Sequence, residues 1–179
     1  MAQIFINYRR DGGAYTAALL DELLSKHFGE TQVFRAAKSI IAGSDYVAAI
    51  LKAIRGCDAM LVIVDDHWLE KFETGNYISS PDSDWVLREI EEAFKWERIV
   101  IPVLLSGVNR LREEDLPVAL TKLATLQYLR FDYRNIQQDS IYMAKQLVRV
   151  CPGITEERDL HSQRSGWFWS ILGRVYRSR

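Results

Sequence analysis

The sequence is poor in cysteine: Cys57 and Cys151 are the two in 179 residues. They stand far apart and outside any C-x-x-C or Cys/His spacing, which excludes a disulfide framework and a cysteine-based metal site. Both read as buried or incidental thiols. An excess of charge of one sign is lacking too. The 23 Lys and Arg against 24 Asp and Glu give a formal net charge of -1, so no global field draws the chain to nucleic acid or an anionic membrane. The start, "MAQIFINYRR", has neither a basic n-region nor an apolar h-region. It carries no secretory signal, and a cytoplasmic location is expected. No internal repeat and no low-complexity tract is present. What remains, 48% hydrophobic and 26% charged residues, is enough for one soluble domain with a full core, plus a tail.

Short β-rich runs alternate with helical patterns. "QIFIN" precedes a helix from about Tyr15 to Phe28, and "TQVF" leads into one from about Asp45 to Arg55. "AMLVIV" precedes a helix from about Trp85 to Trp96, "IVIPVLL" follows it, and "TLQYLRF" precedes a last helix from about Gln138 to Val150. Such alternation predicts a parallel sheet with helices on both faces, and the unbroken apolar character of "AMLVIV" and "IVIPVLL" fits strands buried on both sides. The fold class is therefore α/β, doubly wound. In the second helix Val47, Ile50, Leu51 and Ile54 fall at i, i+3, i+4 and i+7, with Ser44 before them as the expected N-cap. The polar connection "DDHWLEKFETGNYISSPDSD" is long enough to be read as functional.

In "SDWVLREIEEAFKW" one broad helical face holds Val86, Leu87, Ile90, Ala93 and Phe94. Trp85, Glu89, Glu92 and Trp96 form a separate stripe. Trp85 and Glu89 are one turn apart in the first half of the helix, and helices after strands begin at the carboxyl edge of such a sheet, where ligands bind. An aromatic ring and a carboxylate thus share the rim of a crevice. The plain alternative is an edge tryptophan beside acids that complement the helix dipole.

After the first strand, "INYRRDGG" places Tyr8, Arg9 and Arg10 before an Asp-Gly-Gly turn. Arginine forks beside a helix N-terminus suit an anionic phosphate, and surface ion pairs are the alternative. G-x-G-x-x-G and G-x-x-x-x-G-K-[ST] are both missing, so no dinucleotide fingerprint and no P-loop is present. A phosphorelay receiver is excluded: Asp65 and Asp66 imitate its acceptor, but arginines replace its acidic pair and no Lys follows "IVIPV".

Taken together, "IFINYRRDGG", "VFRAAKSIIAGSDYVAAILKAIRGCDAMLVIV", "HWL", "SDWVLREIEEA" and "VIPVLL" resemble, in this order and spacing, a bacterial Toll/interleukin-1 receptor (TIR) domain. The resemblance implies a flavodoxin-like, five-stranded parallel sheet over residues 1–151, with 152–179 as a basic, aromatic C-terminal tail or linker. It implies an NAD+ glycohydrolase or cyclase activity in which a glutamate at W-x-x-x-E spacing, here Trp85 and Glu89, is catalytic, and a role in antiphage defence signalling. NAD+ would be the substrate, with no cofactor and no metal. Tyr8, Arg9, Arg10 and Trp85 would bind it, together with Ser39 and Gly43 of the mobile BB loop, Arg35 to Gly43; Glu92 would be surface or would support the site from behind. It further implies self-association through TIR–TIR contacts that include the BB loop, with a downstream effector or fused module as another partner. The competing expectation is a non-catalytic signalling adaptor that acts by assembly alone. One departure stands out: similar domains carry an acidic D-x-D segment where this chain has Arg35-Ala36-Ala37-Lys38.

The tail "HSQRSGWFWSILGRVYRSR" has four arginines, no acids and an apolar run from Trp167 to Leu172. Six such residues cannot span a bilayer. Surface contact with a membrane, docking on a partner, or a link to another module are the expectations it leaves open.

Overall fold

The structure, a computed structural model, describes residues 3–73 and 84–154. In chain order it runs β1 (Ile4–Asn7), α1 (Arg10–Phe28), β2 (Val33–Phe34), α2 (Ala36–Ser39), α3 (Tyr46–Gly56), β3 (Ala59–Val64), α4 (Glu70–Glu73), α5 (Trp85–Lys95), β4 (Ile99–Leu105), α6 (Lys122–Thr125), β5 (Leu129–Phe131) and α7 (Ile136–Val150). All pairings are parallel, and the sheet order is β2-β1-β3-β4-β5. This is the doubly wound, five-stranded, flavodoxin-like arrangement expected from the alternation. The tail from residue 155 onward lies outside the described residues.

Every residue of β1 and of β3 is buried, because helices cover both faces. Ile4 and Ile6 point to the side packed by α1 and α7, where Leu20, Leu24, Met143 and Leu147 meet them. Phe5, Met60, Val62 and Val64 point to the other side, onto Ile50 and Ile54 of α3 and Ile90 and Ala93 of α5. Each such fully buried aliphatic side chain contributes about 1.5–3 kcal/mol from burial. Pleating puts Asn7 on the same side as Phe5, and that alternation aims a polar side chain at α5.

Four sequence expectations need correction. The cap of α3 is Asp45, whose carboxylate accepts from the Ala48 N–H at 2.9 Å, while the Ser44 hydroxyl donates back to the Ile41 carbonyl. The second strand is two residues long, since Glu30–Gln32 form a 3-10 turn. The face of α3 is narrower than its periodicity: Ile50 and Ile54 are buried and Val47 is exposed. The first helix begins earlier than Tyr15, but Asp11 and Gly12 are not helical and Gly12 has φ +98°. A Cβ at Gly12 would lie 2.8 Å from Asp65 Cγ, so this turn requires glycine both for its backbone angle and for space.

Candidate functional site

Strand order reverses between β1 and β3, and in open α/β sheets the carboxyl edge at such a point is where a crevice opens. Here it holds a cleft of about 530 Å³ lined by Phe5 and Ile6 of β1 and by four further segments. The loop after β1 gives Tyr8, Arg9, Arg10 and Asp11; α2 gives Ala36 and Ala37; α3 gives Tyr46; α5 gives Trp85, Val86 and Glu89 behind its cap Asp84. The volume lies in the range of small-molecule sites. The rings of Tyr8, Tyr46 and Trp85, the guanidinium groups of Arg9 and Arg10, and the carboxyls of Asp11, Asp84 and Glu89 line one space.

The first turn of α5 is fixed from two directions. Asp84 accepts from the Leu87 N–H at 3.2 Å, a side-chain N-cap. The same carboxylate takes a two-pronged bond from Arg9, at 3.2 and 2.6 Å, which ties the loop after β1 to the helix start. Arg9 also stacks, with its guanidinium carbon 4.9 Å from the Phe72 ring centre and 5.8 Å from that of Trp68. Trp68 is fully buried. Asn7, fully buried, donates from Nδ2 to the Val86 carbonyl at 3.1 Å and to Glu89 Oε2 at 2.7 Å.

Glu89 is buried, with 8% of its surface exposed, although the helical pattern puts it in a stripe with Trp85, Glu92 and Trp96. Those neighbours differ from it. Trp96 is exposed, and its indole N–H donates at 3.1 Å to Glu92, which is half-buried. Burial strips water from the Glu89 carboxylate and pushes its pKa up to about 8; Asp84 adds repulsion, and the Asn7 hydrogen bond pulls the other way. Burial likewise raises the Tyr46 phenol, with the Glu89 charge adding to it. Tyr46 meets Trp85 edge to face at 6.0 Å, and Arg88 lies over the Trp85 ring at 4.8 Å.

Of the residues singled out in the sequence, Tyr8, Arg9, Arg10, Trp85 and Glu89 line this cleft together. Arg9 is committed to Asp84, whereas Arg10 is exposed and makes no ion pair among the described residues. Ser39 and Gly43 are not among the lining residues. The Ser39 hydroxyl accepts from the Arg35 N–H at 3.1 Å, and Gly43 has φ +84°. The start of the loop after β2 is a helical turn, held to α1 where buried Asp21 accepts from Arg35 Nε at 2.9 Å and from Lys38 Nζ. Asn7, Tyr46 and Asp84 are cleft-building residues that sequence reasoning passed over. Only Asp84 left a sequence signal, an N-cap acid three positions before Leu87.

Among the described residues no group of three His, Cys, Asp or Glu is placed to hold a metal ion, and no helix is long and apolar enough to cross a membrane. Asp65, at the carboxyl end of β3, is buried against Gly12 with its pKa raised, chiefly by burial.

The TIR domain family model matches residues 4–148. No curated protein sequence gives a significant match. Among solved structures, the TIR domains of the activated Roq1 resistosome directly recognizing the pathogen effector XopQ are 18% identical with a TM-score of 0.56, over 83% of this chain and 98% of that one. A metazoan TIR-STING receptor from C. gigas, in complex with 2',3'-cGAMP, is 20% identical with a TM-score of 0.52, over 80% of this chain and 40% of that one. At these identities the likeness is one of fold. With the model spanning all five strands and the cleft, the chain belongs to the TIR domain family.

Proposed function

We propose that this cleft binds NAD+ and cleaves its nicotinamide–ribose bond, with Glu89 as the catalytic carboxylate. The observation that carries the reading is a buried carboxyl at the switch-point crevice, in a cleft that Trp85, Tyr46 and Arg10 also line. An isolated buried acid is costly to a fold, and strongly shifted acids in clefts mark sites of chemistry.

In the free protein the Glu89 carboxyl holds its proton at neutral pH, since burial has raised its pKa to about 8. The nicotinamide ring of NAD+ is a cation. Its arrival beside the carboxyl favours the ionised form, and the proton leaves to solvent. When the C1'–N bond breaks, its electron pair neutralises the ring, and nicotinamide departs without a general acid. Positive charge then develops on the ribose, where the Glu89 carboxylate stabilises it. Trp85 and Tyr46 offer ring faces and edges for the base, and Arg10 a guanidinium for the pyrophosphate. Water adding to C1' and losing a proton gives ADP-ribose; an adenine nitrogen adding there gives a cyclic product, so the outcome depends on how well the site excludes water. Self-association through the loop after β2, whose Ala36 and Ala37 form one wall of the cleft, would complete the site and place the activity in defence signalling.

The test is NAD+ consumption with the products identified by mass, at high protein concentration with a crowding agent, comparing wild type with Glu89→Gln. Glu89-dependent release of nicotinamide supports the enzyme. No turnover by an assembled wild type, checked by light scattering, turns the reading to an assembly module without catalysis. The observation that favours that second reading is the Arg35-Ala36-Ala37-Lys38 segment, whose charges are bound to Asp21 and not to the cleft.

A further inference from the structure

Asn7 and Glu89 are 82 positions apart and meet at 2.7 Å. Phe5, two residues earlier on the same face of β1, is apolar and packs on the helices; an apolar residue at position 7 would bury equally well. The asparagine is moreover only half satisfied, since its Oδ1 is buried and has no partner. A buried acceptor left unpaired weakens a fold, so stability alone does not explain an amide here. What the amide does is done by Nδ2, which bridges the Val86 carbonyl and the Glu89 carboxyl.

We propose that Asn7 is the positioning residue of this site: its amide fixes the Glu89 carboxyl to the first turn of α5 and supplies the hydrogen bond that the carboxylate needs once substrate is bound. The inference rests on the reading of Glu89 given above. Among the described residues this is the hydrogen bond that Glu89 makes. The other charged and titratable groups around the cleft are Tyr8, Arg9, Arg10 and Asp11 on the loop after β1, Tyr46 on α3 and Asp84 at the cap of α5. Of the cations, Arg9 is bound to Asp84, and Asp84 itself opposes ionisation of Glu89. The strand residues of β1 and β3 that α5 covers are otherwise apolar. Without the amide, the carboxylate would form in an apolar wall with a like charge nearby. It would also be free to turn away from the ribose.

The experiment uses the full chain and three comparisons: wild type, Asn7→Leu and the Asn7→Leu/Glu89→Gln double variant, the leucine having nearly the shape of asparagine. Two readouts are taken across pH 5–10, the unfolding midpoint in urea and, under assembled conditions, kcat/KM for NAD+. In Asn7→Leu the Glu89 titration, read as the pH-dependent difference from the double variant, is expected to move up by about one to two pH units. kcat/KM at pH 7 is expected to fall about 10- to 100-fold and to recover in part above pH 9. A uniform loss of activity at every pH, with the titration unmoved, would overturn the proposal. So would Asn7→Leu behaving as wild type in both readouts. If wild type turns over no NAD+ when assembled, the enzymatic reading fails, while a moved titration still upholds the hold of Asn7 on Glu89. Asn7→Ala serves as the second variant should leucine unfold the chain.

Discussion

Arg9 and Asp84 are joined by two hydrogen bonds, 3.2 and 2.6 Å long, with side chains that are 12% and 21% exposed. The pair links the end of β1 to the cap of α5, and so sets the distance across the cleft. A paired, partly buried fork of this kind is worth more than a surface ion pair, and removing one partner strands the other. Arg9→Ala is expected to lower unfolding free energy by ~2 kcal/mol, and Asp84→Ala by a similar amount because it also loses the cap. In a double-mutant cycle from urea midpoints the two losses should be non-additive by ~1 kcal/mol or more. Arg9→Lys should not restore wild-type behaviour, since an ammonium reproduces neither the fork nor the stacking on Phe72. Full additivity would show that the pair does not couple loop and helix.

Stability should report the protonation of Glu89 directly. Folding raises its pKa from the ordinary 4.5 to about 8, so between these values the folded protein holds a proton that the unfolded chain has released. The stabilisation from this group is complete below the unfolded value and is lost as pH rises through about 8. Within that window the slope reaches at most ~1.4 kcal/mol per pH unit. Glu89→Gln keeps an oxygen that can accept from Asn7 but carries no titrating proton. The variant is therefore expected to gain on wild type by ~2–4 kcal/mol between pH 5 and pH 8, and to hold that gain above. Parallel stability curves for the two proteins would mean that Glu89 stays solvated.

The sheet was legible in the sequence where burial is two-sided, because "AMLVIV" and "IVIPVLL" leave no polar face to confuse with a helix. β2 was overread: Gln32 is taken by a 3-10 turn, and nothing in "TQVF" marks where pairing with β1 stops. Trp85 and Glu89 stood out by helical spacing, but the burial of Glu89 did not. It lies one turn before Ala93 and so borders the buried arc, while Glu92 and Trp96 lie outside it. Asn7 was invisible for another reason. A strand covered on both faces gives no period-2 signal, and its partner is 82 positions away, so neither spacing nor pattern shows that its side chain meets a carboxyl.

The rate should follow the same proton. For the free enzyme Glu89 must lose its proton before it can stabilise charge on the ribose, so kcat/KM for NAD+ is expected to rise about tenfold per pH unit below about 8 and to level off above it. With substrate bound, the cationic ring favours the carboxylate, and the kcat profile should level off at a lower pH. Initial rates from pH 5.5 to 9.5, under conditions that keep the protein assembled, separate the two profiles. A flat kcat/KM across that range would show that no proton on Glu89 has to leave, and would remove it from the mechanism drawn above.

Asp21 explains the basic residues that stand where the resemblance led us to expect acids. Its carboxylate is buried, with 3% of the residue exposed, and accepts from Ser25, Arg35 and Lys38. The charge that an acidic segment would bring to the loop is thus supplied from α1 with the polarity reversed, and the two cations hold α2 against that helix. Ala36 and Ala37, between them, form a wall of the cleft. Asp21→Ala leaves Arg35 and Lys38 facing a buried site without a counter-charge. The expected cost is ~2–3 kcal/mol, below that of a fully dry pair because Lys38 keeps contact with water. The released turn should also become a trypsin substrate at Arg35 and Lys38 under native conditions, and NAD+ turnover should fall as the wall moves. Asp21→Asn retains an acceptor and should lie between. If Asp21→Ala is cut no faster than wild type and keeps its activity, α2 is held by its own packing and Asp21 merely neutralises surface charge.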